Sequence, residues 1–385
     1  MRVVHFSTTD YGGAYRAAER ISECMKSVGI DSFVVVRTRN GHDTLCYEYF
    51  KTPVGRFISK VKNVINLILS SGELITDLFG TDVSRSGYVK EADVVVLHWV
   101  NSFISYRDVR RLADTGKKII WVLHDEWVYT EGYHLTSLRS DSPGLYKRLL
   151  TKYNIKQKTA SYTDRNITFV AVSEWMKKQA LISDILKNER VLTIHNPLDT
   201  EKFQVLREPV DHYNSGKRKI ILFGADKATY NTNKGFSYLI EALQKLDGSK
   251  YIAVCFGNAP ESSRIRLDNI EIVYTGTISN DDELINLYNL ADVMVVPSIQ
   301  EAFGYTCCEA LACGTPVVGF DTSGLKDQIV HRKNGYLARL RDPDDLLQGI
   351  LYCLDNKEEL SIMARETAVA NNSYKVIGNE YKKLL

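Results

Sequence analysis

A chain of 385 residues is longer than one hydrophobic core normally supports, so its length favours two domains. The charges nearly cancel, with 49 Lys and Arg against 47 Asp and Glu, which excludes the uniform positive field of a typical nucleic-acid-binding protein. The seven cysteines are odd in number and lack C-x2-C spacing. This pattern predicts buried thiols in a reducing cytoplasm rather than disulfides or a zinc site.

The first half of the chain alternates short β-branched runs with helical patterns, which is typical of βαβ units. Most of these runs are continuously apolar, which indicates strands covered on both faces of a parallel sheet. The predicted strands are residues 3–7, 32–37, 93–99, 118–124, 167–173 and 190–195.

The segment 54–72 predicts an amphipathic helix. Its apolar face carries Phe57, Val61, Val64, Ile65 and Ile68, and its other positions include Arg56, Lys60, Lys62 and Asn66. The preferred interpretation is a helix that packs its apolar face against the core. The alternative is a basic helix lying on an anionic membrane surface. No apolar window is long enough to span a bilayer, and the first ten residues lack the pattern of a secretory signal.

The series of apolar runs starts again after residues 196–203. The further predicted strands are residues 219–225, 251–257, 270–276, 292–298 and 316–321. The chain therefore predicts an α/β protein with two Rossmann-like, doubly wound parallel-sheet domains facing across a cleft. We place the domains at 1–198 and 199–371, with a last helix at about 372–385 packing back on the first domain. A ligand bound between them would lie at the carboxyl ends of both sets of strands.

Two acids, Glu301 and Glu309, flank the start of a helix predicted from Phe303 or Gly304 to Cys313. The free N–H groups of Gly304, Tyr305 and Thr306 and the positive end of the helix dipole suit a phosphate. An acid one or two turns into the helix could bond a ribose diol. The alternative is that Glu309 is a surface helix residue and Glu301 an ordinary loop acid.

The stretch 301–310, EAFGYTCCEA, resembles the E-x7-E motif of family 4 retaining glycosyltransferases of GT-B architecture. The segments VHFSTTDYGGAYRAAERI, AVSEWMKK and HNPLDTEKF are similar to other parts of that family, and the order of the segments agrees along almost the whole chain. ADVVVLHWVN and WVLHDEWVYTEGYH resemble a subgroup that builds bacterial surface polysaccharides. The resemblance implies sugar transfer from a nucleotide diphosphate sugar to a hydroxyl, with retention of anomeric configuration.

The resemblance implies a donor site formed by residues of both halves. Glycines after a strand let backbone N–H groups approach a diphosphate where a Cβ would collide, although a plain turn would explain two glycines equally well. Their spacing is not G-x-G-x-x-G, so no dinucleotide cofactor is indicated. The donor-binding residues implied are Gly12, Gly13, Gly276, Phe303, Gly304, Tyr305, Thr306 and Glu309.

The catalytic residues implied are His124, Glu301, Lys234 and Lys227. Lys234 starts a helix and would stabilise the charge that grows on the departing diphosphate. Its usual companion is an arginine, and Lys227 is the available substitute here, with a solvated surface lysine as the alternative. His124 ends a predicted strand beside the donor sugar, although a structural histidine is the alternative, and Glu301 would orient the sugar hydroxyls.

The acceptor-binding residues implied are Asp10, Tyr11, Asp125, Trp127 and His134. The segment TEGYH departs from the subgroup's T-G-G-C-H, so the acceptor pocket near Trp127 and His134 can differ from the subgroup's. The cysteine-rich segment that often follows is missing, so we expect no metal and no cofactor beyond the nucleotide sugar. The acceptor implied is a saccharide or lipid-linked saccharide at the inner face of a bacterial membrane, reached from the cytoplasm, and no nucleic acid is expected as a partner. Three alternatives remain: a nucleotide-sugar epimerase, a non-catalytic nucleotide-sugar-binding subunit, and a nicotinamide dehydrogenase, which the Gly-Gly loop disfavours.

Overall fold

The computed structural model describes residues 1–39, 46–136, 144–211, 213, 218–224, 231–257, 264–267, 269–278 and 280–385. The chain divides into two compact units. The first unit comprises Met1–Pro197 with Ile377–Leu385, and the second comprises Leu198–Val376.

Each unit contains a seven-stranded sheet. In chain order the strands are β1 Arg2–Ser7, β2 Asp31–Val36, β3 Cys46–Glu48, β4 Val94–Leu97, β5 Lys118–Leu123, β6 Ile167–Ala171, β7 Val191–Thr193, β8 Lys219–Gly224, β9 Tyr251–Phe256, β10 Arg264–Leu267, β11 Ile270–Gly276, β12 Val293–Val296, β13 Val317–Phe320 and β14 Gly335–Ala338. The predicted strands are all present, whereas β3, β10 and β14 were missed.

The helices follow the strands in the βαβ manner that the sequence predicts. They are α1 Gly13–Ser27, α2 Pro53–Leu69, α3 Gly87–Glu91, α4 Tyr106–Ala113, α5 Leu145–Tyr162, α6 Glu174–Ile182, α7 Phe236–Leu243, α8 Asp281–Leu290, α9 Tyr305–Ala312, α10 Pro343–Asp355, α11 Lys357–Asn372 and α12 Tyr374–Leu384. The last helix rests on the first unit at Gly378, where a Cβ would lie 2.9 Å from the Cys24 carbonyl oxygen in α1.

The strand order defines one topological switch point in each sheet. The first sheet runs β3-β2-β1-β4-β5-β6-β7 and is parallel throughout, so its order reverses between β1 and β4. The second runs β10-β11-β9-β8-β12-β13-β14 and reverses between β8 and β12, with β10 as an antiparallel edge strand. In doubly wound sheets, ligands bind at the carboxyl ends of the strands beside such a reversal.

Both sheets are buried on two faces, as their continuous apolar runs predict. The interior strands, such as Val94–Leu97 and Val293–Val296, are buried at every position. Aromatic rings from β5, β6 and α5 pack together in the first core, where Trp121, Tyr162 and Phe169 lie with ring centroids 5.2 to 6.0 Å apart. All seven cysteines are buried, which confirms the burial that the sequence predicts for them.

Helix α2 contradicts the interpretation preferred from its sequence. Its predicted core face is exposed, with Phe57 at 68% and Ile68 at 73% relative exposure, whereas its buried residues are Ser59 and Asn66. The helix therefore packs its polar side inward. No helix in the described ranges is both long and apolar enough to cross a membrane.

Candidate functional site

The switch point of the second sheet brings a lysine beside a glutamate. Gly235 has a φ of 68°, and a Cβ there would lie 1.9 Å from the Pro297 carbonyl oxygen just beyond β12, so only glycine fits. The turn before Gly235 is also hydrogen-bonded to the loop after β12, because the Ile299 N–H donates to the Asn233 carbonyl at 2.8 Å. This attachment holds the adjacent residue, Lys234, over the end of β12.

Lys234 and Glu301 form an ion pair, with 2.5 Å between Nζ and Oε1. The Ser298 hydroxyl donates to the same carboxylate oxygen at 2.8 Å, and the Glu301 N–H donates to the Ser323 hydroxyl at 2.8 Å. Both charged side chains are mostly buried, with 22% and 16% exposure. Lys234 is therefore a positioned cation rather than a surface charge. Lys227, the second predicted cation, lies outside the described residues.

Helix α9 starts immediately after this loop and has no side-chain cap. Gly304 precedes it with a φ of 92°, so the first N–H groups of α9, including those of Tyr305 and Thr306, have no capping side chain. The buried Phe303 ring packs edge-on against Tyr305, with centroids 5.5 Å apart, and Gln328 Nε2 donates to the Phe303 carbonyl. An uncapped helix start is suited to an anion.

Glu309 is buried in the second unit, with 1% exposure. Its Oε2 accepts a hydrogen bond from the Tyr288 hydroxyl at 2.9 Å, and the Thr315 hydroxyl donates to the Tyr288 carbonyl at 2.6 Å. The alternative that Glu309 is a surface helix residue is therefore wrong. Gly276 ends β11 with a φ of 74°, and apart from its chain neighbours no atom of the described residues lies within 4 Å of where its Cβ would be.

The switch point of the first sheet holds the predicted glycine loop. Thr8, just after β1, donates its N–H to the Trp99 carbonyl at 2.9 Å and its hydroxyl to the Asn101 carbonyl at 2.7 Å, which joins the loop after β1 to the loop after β4. Gly12 precedes α1 with a φ of 85°, and both Gly12 and Gly13 face open space where a Cβ would lie. Between Thr8 and Gly12, Asp10 is buried and Tyr11 is exposed.

Three histidines on adjacent strands form a line of hydrogen bonds ending at His124. His5 Nδ1 and His98 Nε2 are 2.8 Å apart, and His98 Nδ1 and His124 Nε2 are 2.9 Å apart. The rings stack with centroid distances of 5.1 and 5.2 Å. Burial lowers the pKa of His5 to about 3 and that of His124 to about 4, and it lowers the pKa of His98 well below its usual value. The three rings are therefore neutral at neutral pH.

The predicted acceptor residues Asp125, Trp127 and His134 are brought together beside His124. Asp125 Oδ2 lies 2.6 Å from His134 Nδ1 and accepts from Trp99 Nε1 at 3.0 Å, while Oδ1 accepts the Trp127 N–H at 2.9 Å. Burial opposes both charges, but the pairing outweighs it, so the pKa of His134 is raised and that of Asp125 is lowered.

Sequence reasoning missed several residues that hold these groups in place. Ser298, Ser323 and Tyr288 bond the two glutamates, and nothing in the sequence near Glu301 and Glu309 singled out Ser323 or Tyr288. Lys158 lies buried with its Nζ 3.9 Å above the Trp127 ring and donates to the Trp127 and Thr130 carbonyls. No apolar periodicity marks it, because the buried face of α5 also carries Asn154 and Ser161. Among the described residues, no group of three or more His, Cys, Asp or Glu side chains could hold a metal ion.

Comparison with known proteins assigns a domain to the second unit. Residues 208–369 match the family model described as Glycosyl transferases group 1. A relative from Methanocaldococcus jannaschii, named an uncharacterized glycosyltransferase, is 27% identical over 66% of this chain, and the match spans 65% of that relative, just under two thirds of its length. A 41.2 kDa protein in the cps region of Klebsiella pneumoniae is 24% identical over 90% of this chain and 88% of its own length.

The fold is that of solved GT-B proteins. The Anabaena protein HepE, solved in complex with UDP-glucose, superposes with a TM-score of 0.69 at 15% identity and covers 100% of this chain and 99% of its own. At that identity the likeness shows the fold alone. It confirms two parallel-sheet α/β domains of the GT-B type, and the match over residues 208–369 shows that the second of them is a glycosyltransferase group 1 domain.

Proposed function

We propose that the chain is a retaining glycosyltransferase that moves a sugar from a nucleotide diphosphate sugar to a hydroxyl of a saccharide or lipid-linked saccharide. The observation that carries the proposal is the Lys234–Glu301 pair at the switch point of the second sheet, inside the matched group 1 domain. A buried cation next to an uncapped helix start is suited to a diphosphate leaving group, because both favour negative charge there.

A nucleotide sugar is the donor that fits this arrangement. The HepE structure was solved with UDP-glucose, which supports a nucleotide sugar for this chain without fixing its base or its sugar. We propose that the diphosphate lies at the start of α9, that the ribose reaches Glu309, and that Gly276 belongs to the part of the chain that contacts the base. Gly12 and Gly13, in the first unit, would let backbone N–H groups approach a donor phosphate.

The ion pair also suggests how charge is handled during transfer. The bond between the anomeric carbon and the leaving phosphate oxygen breaks, a bond to the acceptor oxygen forms on the same face, and the acceptor proton passes to the leaving phosphate. Lys234 would stabilise the charge that grows on this phosphate. Glu301 would keep Lys234 in place and accept hydrogen bonds from donor sugar hydroxyls.

The first unit supplies a neutral imidazole and a paired carboxylate, both of which can bond hydroxyls. His124 would bond a sugar hydroxyl near the reacting carbon, since a neutral imidazole both donates and accepts. Asp125, Trp127 and His134, with Asp10 and Tyr11, would contact the acceptor. The Klebsiella relative lies in a cps region, which supports a role in bacterial surface polysaccharide synthesis.

The test is product analysis with and without acceptor. The full chain is incubated with a panel of nucleotide sugars, alone and with a membrane extract, and nucleoside diphosphate release is measured together with any change in the donor sugar. The proposal predicts release that requires acceptor and a product with the donor's anomeric configuration. Conversion of the donor alone would show an epimerase, and donor binding without transfer would show a non-catalytic subunit.

A further inference from the structure

The exposed face of α2 is a continuous apolar stripe. The side chains at Val54, Phe57, Leu67 and Ile68 are between 68% and 74% exposed, and Ile58, Val61, Val64 and Ile65 are exposed between them. Leaving so many large apolar side chains in water is unfavourable. A contiguous exposed apolar patch of this kind is typical of an interaction site.

The polar side of α2 fixes this orientation. Asn66 is buried, its Nδ2 donates to Asp77 Oδ1 at 2.7 Å and to the Phe79 carbonyl at 3.0 Å, and its Oδ1 accepts the N–H groups of Leu78 and Phe79 at 3.1 Å. Lys62 Nζ donates to the Gly80 carbonyl at 2.6 Å. Rotating the helix to bury its apolar face would break all these bonds and leave buried polar groups unpaired, which is unfavourable.

A second helix extends the patch. The Tyr146 hydroxyl at the start of α5 donates to the Leu69 carbonyl at the end of α2, with 2.5 Å between the oxygens. Leu145 and Leu149 are 75% and 59% exposed, and with Tyr146 they occupy neighbouring positions on one side of α5. The α2 stripe and this end of α5 together are called the two-helix surface.

The two-helix surface carries basic residues and no acids of its own. The sequences of α2 and α5 contain no Asp or Glu. Lys60 is exposed, three residues from Phe57 and four from Val64, and Lys152 is exposed three residues beyond Leu149. Long basic side chains that border an apolar stripe can extend to anionic headgroups while the stripe enters the acyl boundary.

We propose that the two-helix surface docks the chain on an anionic lipid bilayer. The apolar stripe supplies the buried area, and the basic residues are complementary in charge to acidic headgroups. A second copy of the chain fits less well, because two such surfaces would bring their lysines together. The inference does not depend on the proposed catalytic roles, since none of those residues lies on this surface.

The test is co-sedimentation of the full chain with vesicles of phosphatidylcholine, alone or mixed with phosphatidylglycerol. The wild type is expected to bind the mixed vesicles, and Phe57→Ser with Ile68→Ser is expected to weaken binding by at least about tenfold. Lys60→Glu with Lys152→Glu should also weaken binding to the mixed vesicles by about tenfold or more, and less at high salt.

Matched controls lie on α6 of the same unit. Ile182 is 75% exposed, so Ile182→Ser removes an equally exposed side chain, and Lys178→Glu reverses an exposed charge there. Both controls should bind vesicles like the wild type. Failure of the wild type to bind mixed vesicles, or equal losses in the controls, would overturn the proposal. So would an oligomer in the absence of lipid that Phe57→Ser with Ile68→Ser converts to a monomer.

A second, independent observation is the line of hydrogen bonds that ends at His124. It continues inward from His5, whose Nε2 lies 2.9 Å from the Ser32 hydroxyl, which in turn lies 2.9 Å from the Ser22 hydroxyl. A neutral imidazole carries one N–H, so each ring that donates on one side must accept on the other. The line therefore has two polarities. In one His124 carries its proton on Nδ1, and in the other it carries the proton on Nε2.

We infer that His5, His98 and Ser32 are positioning residues that set the tautomer of His124. The serine hydroxyls can donate or accept, so either polarity satisfies every atom of the line. His124 Nδ1 can then donate to a hydroxyl or accept from one without any change in charge. This deepens the proposed function, because it specifies how His124 would bond a sugar.

Nitrogen NMR of histidine-labelled protein tests this inference without an activity assay. Ser32→Ala removes the partner of His5 Nε2. A buried nitrogen lone pair without a partner is less unfavourable than a buried N–H without an acceptor, so His5 should carry its proton on Nδ1 and donate to His98. His98 then donates to His124 Nε2, which leaves the proton of His124 on Nδ1. Ser22→Ala is the control, because Ser32 can still pair with His5. The expected result is a His124 protonated on Nδ1 in Ser32→Ala, and the same tautomer in Ser22→Ala as in the wild type. A His124 protonated on Nε2 in Ser32→Ala would refute the relay and leave the proposed transferase function untouched.

Discussion

The two switch points occupy equivalent places in the two sheets but differ in charge. In the first unit, the groups beside the reversal are three neutral imidazoles joined to buried serines. In the second unit, a charged lysine and glutamate lie next to the uncapped start of α9. This difference supports the proposal that the first unit meets hydroxyls and the second a diphosphate.

Removing the charge of Lys234 in the second unit should have the largest effect on turnover. Lys234→Ala takes away the cation that we propose faces the leaving phosphate, and loss of one such stabilising group typically costs about 100-fold in kcat. Turnover at saturating donor is the measurement. Lys326→Ala is the control, because Lys326 pairs with Asp321 at 2.9 Å in the same unit but both side chains are about half exposed. An equal kcat in wild type and Lys234→Ala would contradict the proposal that Lys234 stabilises a leaving phosphate.

Acid should destabilise the first unit more than the second. The buried His5, His98 and His124 stay neutral when folded, but each binds a proton on unfolding below about pH 6.5, so the stability they contribute above that pH is lost as the pH falls. Asp77 opposes this, because burial raises its pKa to about 7 and only the folded state holds its proton between pH 3.8 and 7. His134, whose pKa is raised in the folded state, also opposes the loss, so the net loss should be about 1 to 2 kcal/mol per pH unit between pH 6.5 and 5.5.

The tryptophans make this prediction measurable. All four lie in the first unit, at positions 99, 121, 127 and 175. Denaturant unfolding followed by tryptophan emission should move to lower denaturant between pH 6.5 and 5.5, and far-ultraviolet circular dichroism should show the second unit unfolding with less change. A tryptophan transition at the same denaturant concentration at both pH values would contradict the claim that the three buried histidines of the first unit are neutral in the folded state.

A smaller effect on donor KM should show whether Glu309 binds the donor or only stabilises the fold. Glu309→Gln keeps an acceptor for the Tyr288 hydroxyl but removes the charge, so donor KM should rise about tenfold if the carboxylate holds a ribose. Tyr288→Phe is the control, because it removes the hydroxyl and leaves the carboxylate, and it should mainly lower stability. A large stability loss with unchanged donor KM in Glu309→Gln would assign Glu309 to structure.

The smallest expected effect concerns the glycine loop of the first unit. Gly12→Ala should lower the free energy of unfolding by about 1 kcal/mol, because its φ of 85° strains any other residue. Gly13→Ala should change stability by less than about 0.5 kcal/mol, since open space surrounds it. Both should raise donor KM if a diphosphate approaches this loop. Unchanged KM in both variants would leave the loop with a turn role only.

The interior of the fold could be predicted from sequence because doubly covered strands are continuously apolar. The runs that form β4 and β12 are examples, whereas β3, β10 and β14 are short edge strands with weaker patterns. The faces of α2 could be predicted from its periodicity, but not which face is buried. That depends on the backbone of residues 77–80, which meets Asn66 and Lys62.

The candidate site was predicted residue by residue but not as a set of contacts. Lys234 and Glu301 were chosen separately, and their pairing depends on Gly235 fitting against Pro297, a tertiary contact that local sequence does not encode. The histidine line likewise depends on the strand order that places β1 between β2 and β4. Neighbouring strands in the sheet are distant in sequence, so their side-chain partners could not be read from either segment alone.

The most direct test of the central claim is calorimetric titration of the full chain with a panel of nucleotide sugars. The account predicts that at least one of them binds saturably and that Lys234→Ala weakens its binding, while Lys326→Ala does not. A nucleotide sugar that binds wild type and Lys234→Ala with the same affinity would contradict a diphosphate site at the Lys234–Glu301 pair.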